Sequence, residues 1–468
     1  MQFGKLCLVA AAALALAACE APGSRDNEDA GKSPIANPFP STYKPYPSQT
    51  LLIANATVLD GAGARIENGA VLIEGGKIKA VGADLTAPDG AVTLDARGKW
   101  VTPGIIDNHS HLGAYPSPGV DSHDDGNEIS GPVTAEVWVE HSVWPQDPGF
   151  TRALAGGITS LQILPGSANL FGGRGVTLKN VPARTVQAMK FPGAPYTLKM
   201  ACGENPKRVY GYGGGTAPGG APYSRMGNVA GYRDAWIQAA DYKKQMDKAE
   251  SGGGDPPKRD LELETLADVL SGDILVHMHC YRADEMAQIL DISNEFGYKV
   301  AAFHHAVESY KIGDLLKQAD TCSAVWADWW GFKMESYDAI PENAGILQKA
   351  GACVVIHSDD ENGIQRLNQE AAKAQGDARR AGIEVSDAEV IRWLTLNPAM
   401  AMGIHQQTGS LEKGKMADVV LWNGNPLSVY SRPDKVWVDG ALLFDADDPK
   451  RRPVSDFELG QVGEGDVK

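Results

Sequence analysis

Positive charge is in short supply in this chain: 43 Lys and Arg stand against 59 Asp and Glu, a formal net charge of −16. A phosphate backbone needs a basic surface, so nucleic acid is excluded as a partner. Cysteine is scarce as well, six in 468 residues, and none shows the paired C-x-x-C spacing of a zinc knuckle. Four of the six, Cys202, Cys280, Cys322 and Cys353, sit in separate apolar stretches, a pattern that suits buried thiols at least as well as disulfides. The Gly-rich stretch GYGGGTAPGGAPYSR lacks the G-x-x-x-x-G-K-[ST] of a phosphate loop. No repeat with a period of about 20 to 50 residues is visible, which argues against a solenoid or propeller. The remainder is ordinary globular composition, 43% hydrophobic and 22% charged, with enough length for one large barrel and a smaller unit.

The N-terminus reads as a processing signal. Lys5 precedes an apolar run from Leu6 to Ala18, too short to span a bilayer as a mature helix. It ends in Leu16-Ala17-Ala18-Cys19, which resembles a bacterial lipobox, in which the Cys becomes the lipidated first residue. Residues 1–19 are therefore expected to be removed or modified, with 20–47, rich in Pro, Ser, Asn and charge, as a flexible tether. Glu20 in place of Asp after the Cys resembles lipoproteins sent to the outer rather than the inner membrane. The expectation is an exported protein anchored through Cys19 and facing the periplasm.

Short alternating runs with turn punctuation, such as AVLIEGGKIKAVG, fill residues 48–100 and return in 405–446. Two β-rich flanks suggest one small composite β-sandwich built from both chain ends. Between them, 101–404 alternates apolar strands with helical patterns, the rhythm of an α/β fold. Strands are expected near 103–109, 158–164, 174–178, 196–202, 274–280, 299–305, 321–327 and 352–358, the eight that a distorted (β/α)8 TIM barrel needs. Helices are expected over Ala283 to Phe296, Ser309 to Gln318 and Asn362 to Ala381, and from a Ser386 cap, with Asp387 and Glu389 in its first turn, to Leu396. Residues 203–272 read as an insertion at the barrel mouth and 447–468 as a polar tail.

Histidine is concentrated where such a barrel has its active site. The first strand ends in Asp107-Asn-His109-Ser-His111, the fifth in His277-Met-His279, the sixth in His304-His305 and the eighth in His357-Ser-Asp359-Asp360. Only His123, His141 and His405 of the ten lie elsewhere. Residues i and i+2 of a strand point the same way, so His109 and His111 can share one cation. Burying so many imidazoles without a common partner is costly, which favours a metal site over isolated core histidines.

This arrangement resembles the amidohydrolase superfamily. With the VTPGIIDNHSH and LNPAMAMGIHQQTGSLEKGKMADVVLW segments, it is similar to the branch containing imidazolonepropionase and prolidase-like enzymes, over about Thr50 to Asp445. The resemblance implies a metal site, zinc in one or two copies, held by His109, His111, His277, His305 and Asp359. Asp359 matches the base, and His279 falls to substrate contact or oxyanion stabilisation. Binuclear relatives often carry a carboxylated lysine on the fourth strand. Lys199 is near that position but aligns one residue out of phase, and one residue turns a strand side chain to the other face. Glu204 is the expected bridge, with carbamylated Lys199 or a single-metal site as the alternatives. Arg225, Tyr223, Lys207 and Arg208 are candidates for gripping a substrate carboxylate.

The expected reaction is hydrolysis of an amide or cyclic-amide C–N bond in a small molecule, such as a dipeptide or an N-acyl amino acid. A ring deaminase and a ligand-binding lipoprotein without turnover are the rival expectations. Oligomeric state is not legible in the sequence.

Overall fold

Alternating apolar residues from the two ends of the chain meet in one sheet. In the computed structural model, which describes residues 37–212, 221–329 and 331–452, five strands precede the barrel. They are β1 (Leu51–Leu59), β2 (Arg65–Glu74), β3 (Lys77–Ala83), β4 (Val92–Asp95) and β5 (Trp100–Pro103). Three follow it: β14 (Val419–Trp422), β15 (Pro433–Val438) and β16 (Ala441–Asp445). The order is β16-β15-β14-β5-β1-β2-β3, with β4 beside β1, so the strands form one continuous hydrogen-bonded sheet rather than two separate ones. The seam between chain ends is the antiparallel pair β5–β14, where Val101 faces Leu421. The β2–β3 turn places Gly75 and Gly76 at φ 59° and 75°, a left-handed pair that glycine adopts without penalty.

The second sheet is the barrel: β6 (Ile105–Ser110), β7 (Ile158–Ile163), β8 (Phe171–Lys179), β9 (Tyr196–Ala201), β10 (Ile274–His279), β11 (Val300–His304), β12 (Cys322–Val325) and β13 (Cys353–Ile356). Neighbours pair in sequence order. The gap between β13 and β6 is crossed by Asp359 N donating to His109 O at 3.0 Å, so the ring is nearly closed. Seven strands run in one direction, while β8 is antiparallel to both β7 and β9. This departs from the regular barrel strand expected there. Parallel neighbours need a crossover of about a dozen residues or more, usually a helix; the β7–β8 link is a short loop, which permits only a hairpin.

The helices are α1 (Pro148–Ala155) before β7; α2 (Glu204–Pro206), α3 (Arg225–Glu250) and α4 (Leu261–Ser271) between β9 and β10; α5 (Ala283–Phe296) after β10; α6 (Gly313–Gln318) after β11; α7 (Asn343–Ala350) after β12; and α8 (Leu367–Arg380), α9 (Asp387–Leu394) and α10 (Leu396–Ala401) after β13. Ser386 and Glu389 make a reciprocal capping box at the start of α9. None of the helices in the described residues is long and apolar enough to cross a membrane.

Two disulfides tie neighbouring strand ends, Cys202–Cys280 at β9–β10 and Cys322–Cys353 at β12–β13. That settles the choice between thiols and disulfides, which depended on knowing which strands are adjacent. The expected tether is partly docked: Ser41 Oγ donates to Lys190 O at 2.7 Å and Tyr46 OH to Pro182 O at 2.6 Å. Cys19, the rest of residues 1–36, residues 213–220 of the Gly-rich stretch and residues 453–468 of the tail lie outside the described residues.

One buried ion cluster joins barrel to sheet. Lys179 Nζ, on β8, donates to both oxygens of Asp418 at 3.0 Å and to Asp439 Oδ1 at 3.1 Å. Lys179→Met would leave two buried carboxylates facing each other without a cation. We expect a loss of about 3–5 kcal/mol, read as a lowered denaturant midpoint.

Candidate metal centre

The two imidazoles at the end of β6 meet the carboxylate that follows β13. His111 Nε2 lies 3.0 Å and His109 Nε2 3.2 Å from Asp359 Oδ1. His305 Nε2, just after β11, lies 3.6 Å from Asp359 Oδ2. Asp359 and His305 sit at φ 56° and 54°, a left-handed conformation that is uncommon outside glycine. Strain of this kind persists where the surroundings fix a functional side chain.

Hydrogen bonds behind the rings decide which nitrogens carry protons. His111 Nδ1 is 2.8 Å from Leu164 O, and a carbonyl can only accept, so Nδ1 is the protonated atom and Nε2 presents a bare lone pair to Asp359. The same logic runs through His357. Its Nδ1 donates to Val325 O at 3.1 Å, so its Nε2 accepts from His305 Nδ1 at 2.8 Å and leaves His305 Nε2 bare toward the carboxylate. Burial pushes His109 and His305 well below the usual imidazole range, for His109 with help from the Lys199 ammonium, so protonated rings are disfavoured there. Acceptors therefore face acceptors at hydrogen-bond distance. A divalent cation relieves that repulsion, and nitrogen with carboxylate oxygen is a donor set that zinc accepts.

The fifth strand corrects an expectation. His277 is fully engaged deeper in the barrel, its Nε2 donating to Ala401 O at 3.1 Å and its Nδ1 lying 2.8 Å from His304 Nε2. Burial pushes it down to about 3. His279, two residues on and on the same face, reaches the mouth: its ring is 4.9 Å from His305 and both of its nitrogens are buried without a partner. Strand alternation puts both rings inside, but only the last residue of β10 stands level with His305. Of the two β10 rings, His279 is the one with both nitrogens unengaged beside His305, although it too lies outside the His and Asp groups around Asp359.

The fourth strand corrects a second. Glu204 begins α2, and its Oε1 lies 3.7 Å from Lys333 Nζ, while it belongs to neither of the His and Asp groups clustered around Asp359 and His305. Lys199 is fully buried, with Nζ 3.4 Å from His109 Nε2 and donating to Pro165 O at 3.0 Å. Burial lowers its ammonium to about 8. β9 pairs Lys199 with His277 in register, and paired residues of parallel neighbours project to the same side, so Lys199 faces the interior.

The expected carboxylate grips are largely committed elsewhere. Arg225 Nε pairs with Glu285 at 2.8 Å and its Nη2 with Glu335, so two of its three nitrogens are already engaged. Tyr223, 65% exposed, packs edge-on to Tyr212, and the Lys207 ammonium lies 5.6 Å from the same Tyr212 ring. Arg208 is exposed on the turn that follows α2. The sequence reading gave no role to His357, Trp326, Tyr281 or Lys333, all of which border the cluster. For His357 a signal existed, two residues before Asp359 in the segment that follows β13.

Residues 340–443 match the Amidohydrolase family. The chain is 32% identical over 454 residues to the amidohydrolase tasK of Hapsidospora irregularis, a match covering 91% of this chain and 45% of that protein, so the chain spans about half the length of that relative. It is 22% identical to the imidazolonepropionase of Mesorhizobium japonicum, over 79% of this chain and 90% of that one. A crystal structure of an amidohydrolase from Thermotoga maritima MSB8 aligns with a TM-score of 0.77 at 34% identity, covering 84% of this chain and 100% of that one. The chain thus belongs to the amidohydrolase family.

Proposed function

We propose that the protein is a metal-dependent hydrolase that cleaves an amide or cyclic-amide C–N bond in a small molecule such as a dipeptide or an N-acyl amino acid. The observation that carries this reading is the Asp359 carboxylate facing His109, His111 and His305 at 3.0 to 3.6 Å, with bare nitrogens at His111 and His305. His109, His111 and Asp359 would hold one cation. His279 and His305, and Lys199 if carboxylated on Nζ, would be the donors available to a second. Zinc suits these donors.

The cation, when bound, supplies Lewis acidity that activates water and polarises the substrate carbonyl. Asp359 accepts the proton of the attacking water and delivers it to the leaving nitrogen. His357 keeps His305 in the tautomer that presents Nε2. Overall, water adds across the C–N bond to give a carboxylate and an amine.

The two disulfides support an oxidising compartment and so favour the exported, Cys19-anchored reading with the barrel in the periplasm. A screen of N-acyl amino acids, dipeptides and cyclic amides against metal-loaded protein tests the activity. We expect a new carboxyl group for each C–N bond broken. Ammonia release without a new carboxyl group would move the reading to deamination. A folded, metal-loaded protein that turns over no member of the panel would sink it.

A further inference from the structure

The wall running outward from His305 is aromatic. Trp326 follows β12 and stacks on His305 at 4.5 Å and on His357 at 5.3 Å between ring centroids, its Nε1 donating to Ser358 O at 3.1 Å. Trp329 stacks on Trp326 at 5.8 Å, Phe332 meets it edge-on at 5.8 Å, and Tyr281 stands 4.6 Å from His279 and 6.4 Å from Phe332. The row begins in buried rings beside the metal centre and ends in rings that face water: Trp329 is 38% and Phe332 58% exposed. Large apolar rings left in solvent and continuous with the histidine cluster offer a flat face to a bound molecule.

At the edge of this wall lies Lys333. Its side chain is 19% exposed, and its Nζ sits 4.3 Å from the centre of the Tyr281 ring. Asn205 Oδ1 accepts one of its three N–H groups at 2.9 Å, and Glu204 Oε1 stands at 3.7 Å, longer than a hydrogen bond. Burial pulls its ammonium below the usual lysine value. Glu204 is close enough to orient this cation without saturating it. Arg225, the cation expected here, is held by Glu285 and Glu335. Glu335 and Glu204 already act on this ammonium through their charge, but N–H groups remain after Asn205 to meet an anion, and both Lys333 and His279 border the Tyr281 ring.

Resting on the hydrolase reading above, we propose that Lys333 and the wall of Trp326, Trp329 and Phe332 form a substrate subsite, Lys333 taking a free carboxylate and the rings taking an aromatic or bulky apolar side chain. The substrate class is then an N-acylated or N-aminoacylated amino acid that carries such a side chain. Hydrolysis adds water to its amide and releases the free amino acid.

Binding can be read apart from turnover by calorimetry in the metal-loaded Asp359→Asn protein, with N-acetyl-L-phenylalanine and its primary amide as ligands. The acid should bind about 30-fold more tightly than the neutral amide. Adding Lys333→Met should reduce that ratio to about 3-fold or less while leaving the amide's affinity unchanged, which also shows that the site is still folded. Lys333→Arg should keep most of the preference. Phe332→Ala should weaken both ligands about 10-fold and leave their ratio intact. Equal binding of acid and amide, a ratio retained in Lys333→Met, or no binding of either ligand would overturn the proposal. If the ratio behaves as expected but the wild-type protein cleaves no C–N bond, the subsite stands and the hydrolase reading alone fails.

Discussion

Asp359→Asn should lower kcat by about 10³- to 10⁴-fold while most of the metal stays bound. The carboxamide keeps the shape and one oxygen donor of the carboxylate that stands 3.0 Å from His111 Nε2. Packing and fold are therefore expected to survive. What is lost is the proton carrier, because an amide neither accepts the proton of water nor returns it to nitrogen. Steady-state kinetics alongside metal content separates the two effects. Near-normal turnover in a metal-replete variant would remove Asp359 from the proposed role.

The second large effect is expected at Lys199. Its Nζ is 3.4 Å from His109 Nε2 in the barrel interior. Lys199→Ala should drop metal stoichiometry from about two ions to about one and cut kcat by about 10³-fold, with partial recovery in a short carboxylic acid such as propionate, which can occupy the vacated space. Glu204→Gln should leave stoichiometry unchanged. The opposite pattern would restore Glu204 as the bridge. A pH dependence follows with a definite sign. Only the neutral amine reacts with carbon dioxide, and burial lowers the Lys199 ammonium to about 8, so capture of carbon dioxide by the metal-free protein should rise as pH increases through that value. It should be far weaker at pH 6, where the ammonium dominates.

The parts of this fold carried by periodicity were legible in the sequence. All eight barrel strands fall where apolar runs predict them, and His109, His111, His305 and Asp359 converge from three strand ends that share no local sequence. Depth along a strand was not legible. His277 and His279 have the same alternation, and only the three-dimensional level of β10 against β11 distinguishes a ring closed off by Ala401 O from one open at the mouth. Phase failed for Lys199 because its side of the sheet is fixed by its in-register pairing with His277, which the flanking residues do not reveal. Strand direction failed at β8, since it depends on the length of a connection rather than on composition. Disulfide partners require knowing which strands are adjacent, and Lys333 belongs to no motif. Its significance comes from Tyr281, which reaches it from the end of β10.

The central claim is that the histidine and aspartate cluster exists to hold a divalent cation, and elemental analysis of the purified, folded protein tests it most directly. One to two equivalents of a divalent metal per chain, zinc foremost, are expected, falling by about one equivalent in a His109→Ala, His111→Ala double variant that remains folded. A wild-type protein that is folded, has been exposed to zinc and still retains no metal would contradict it.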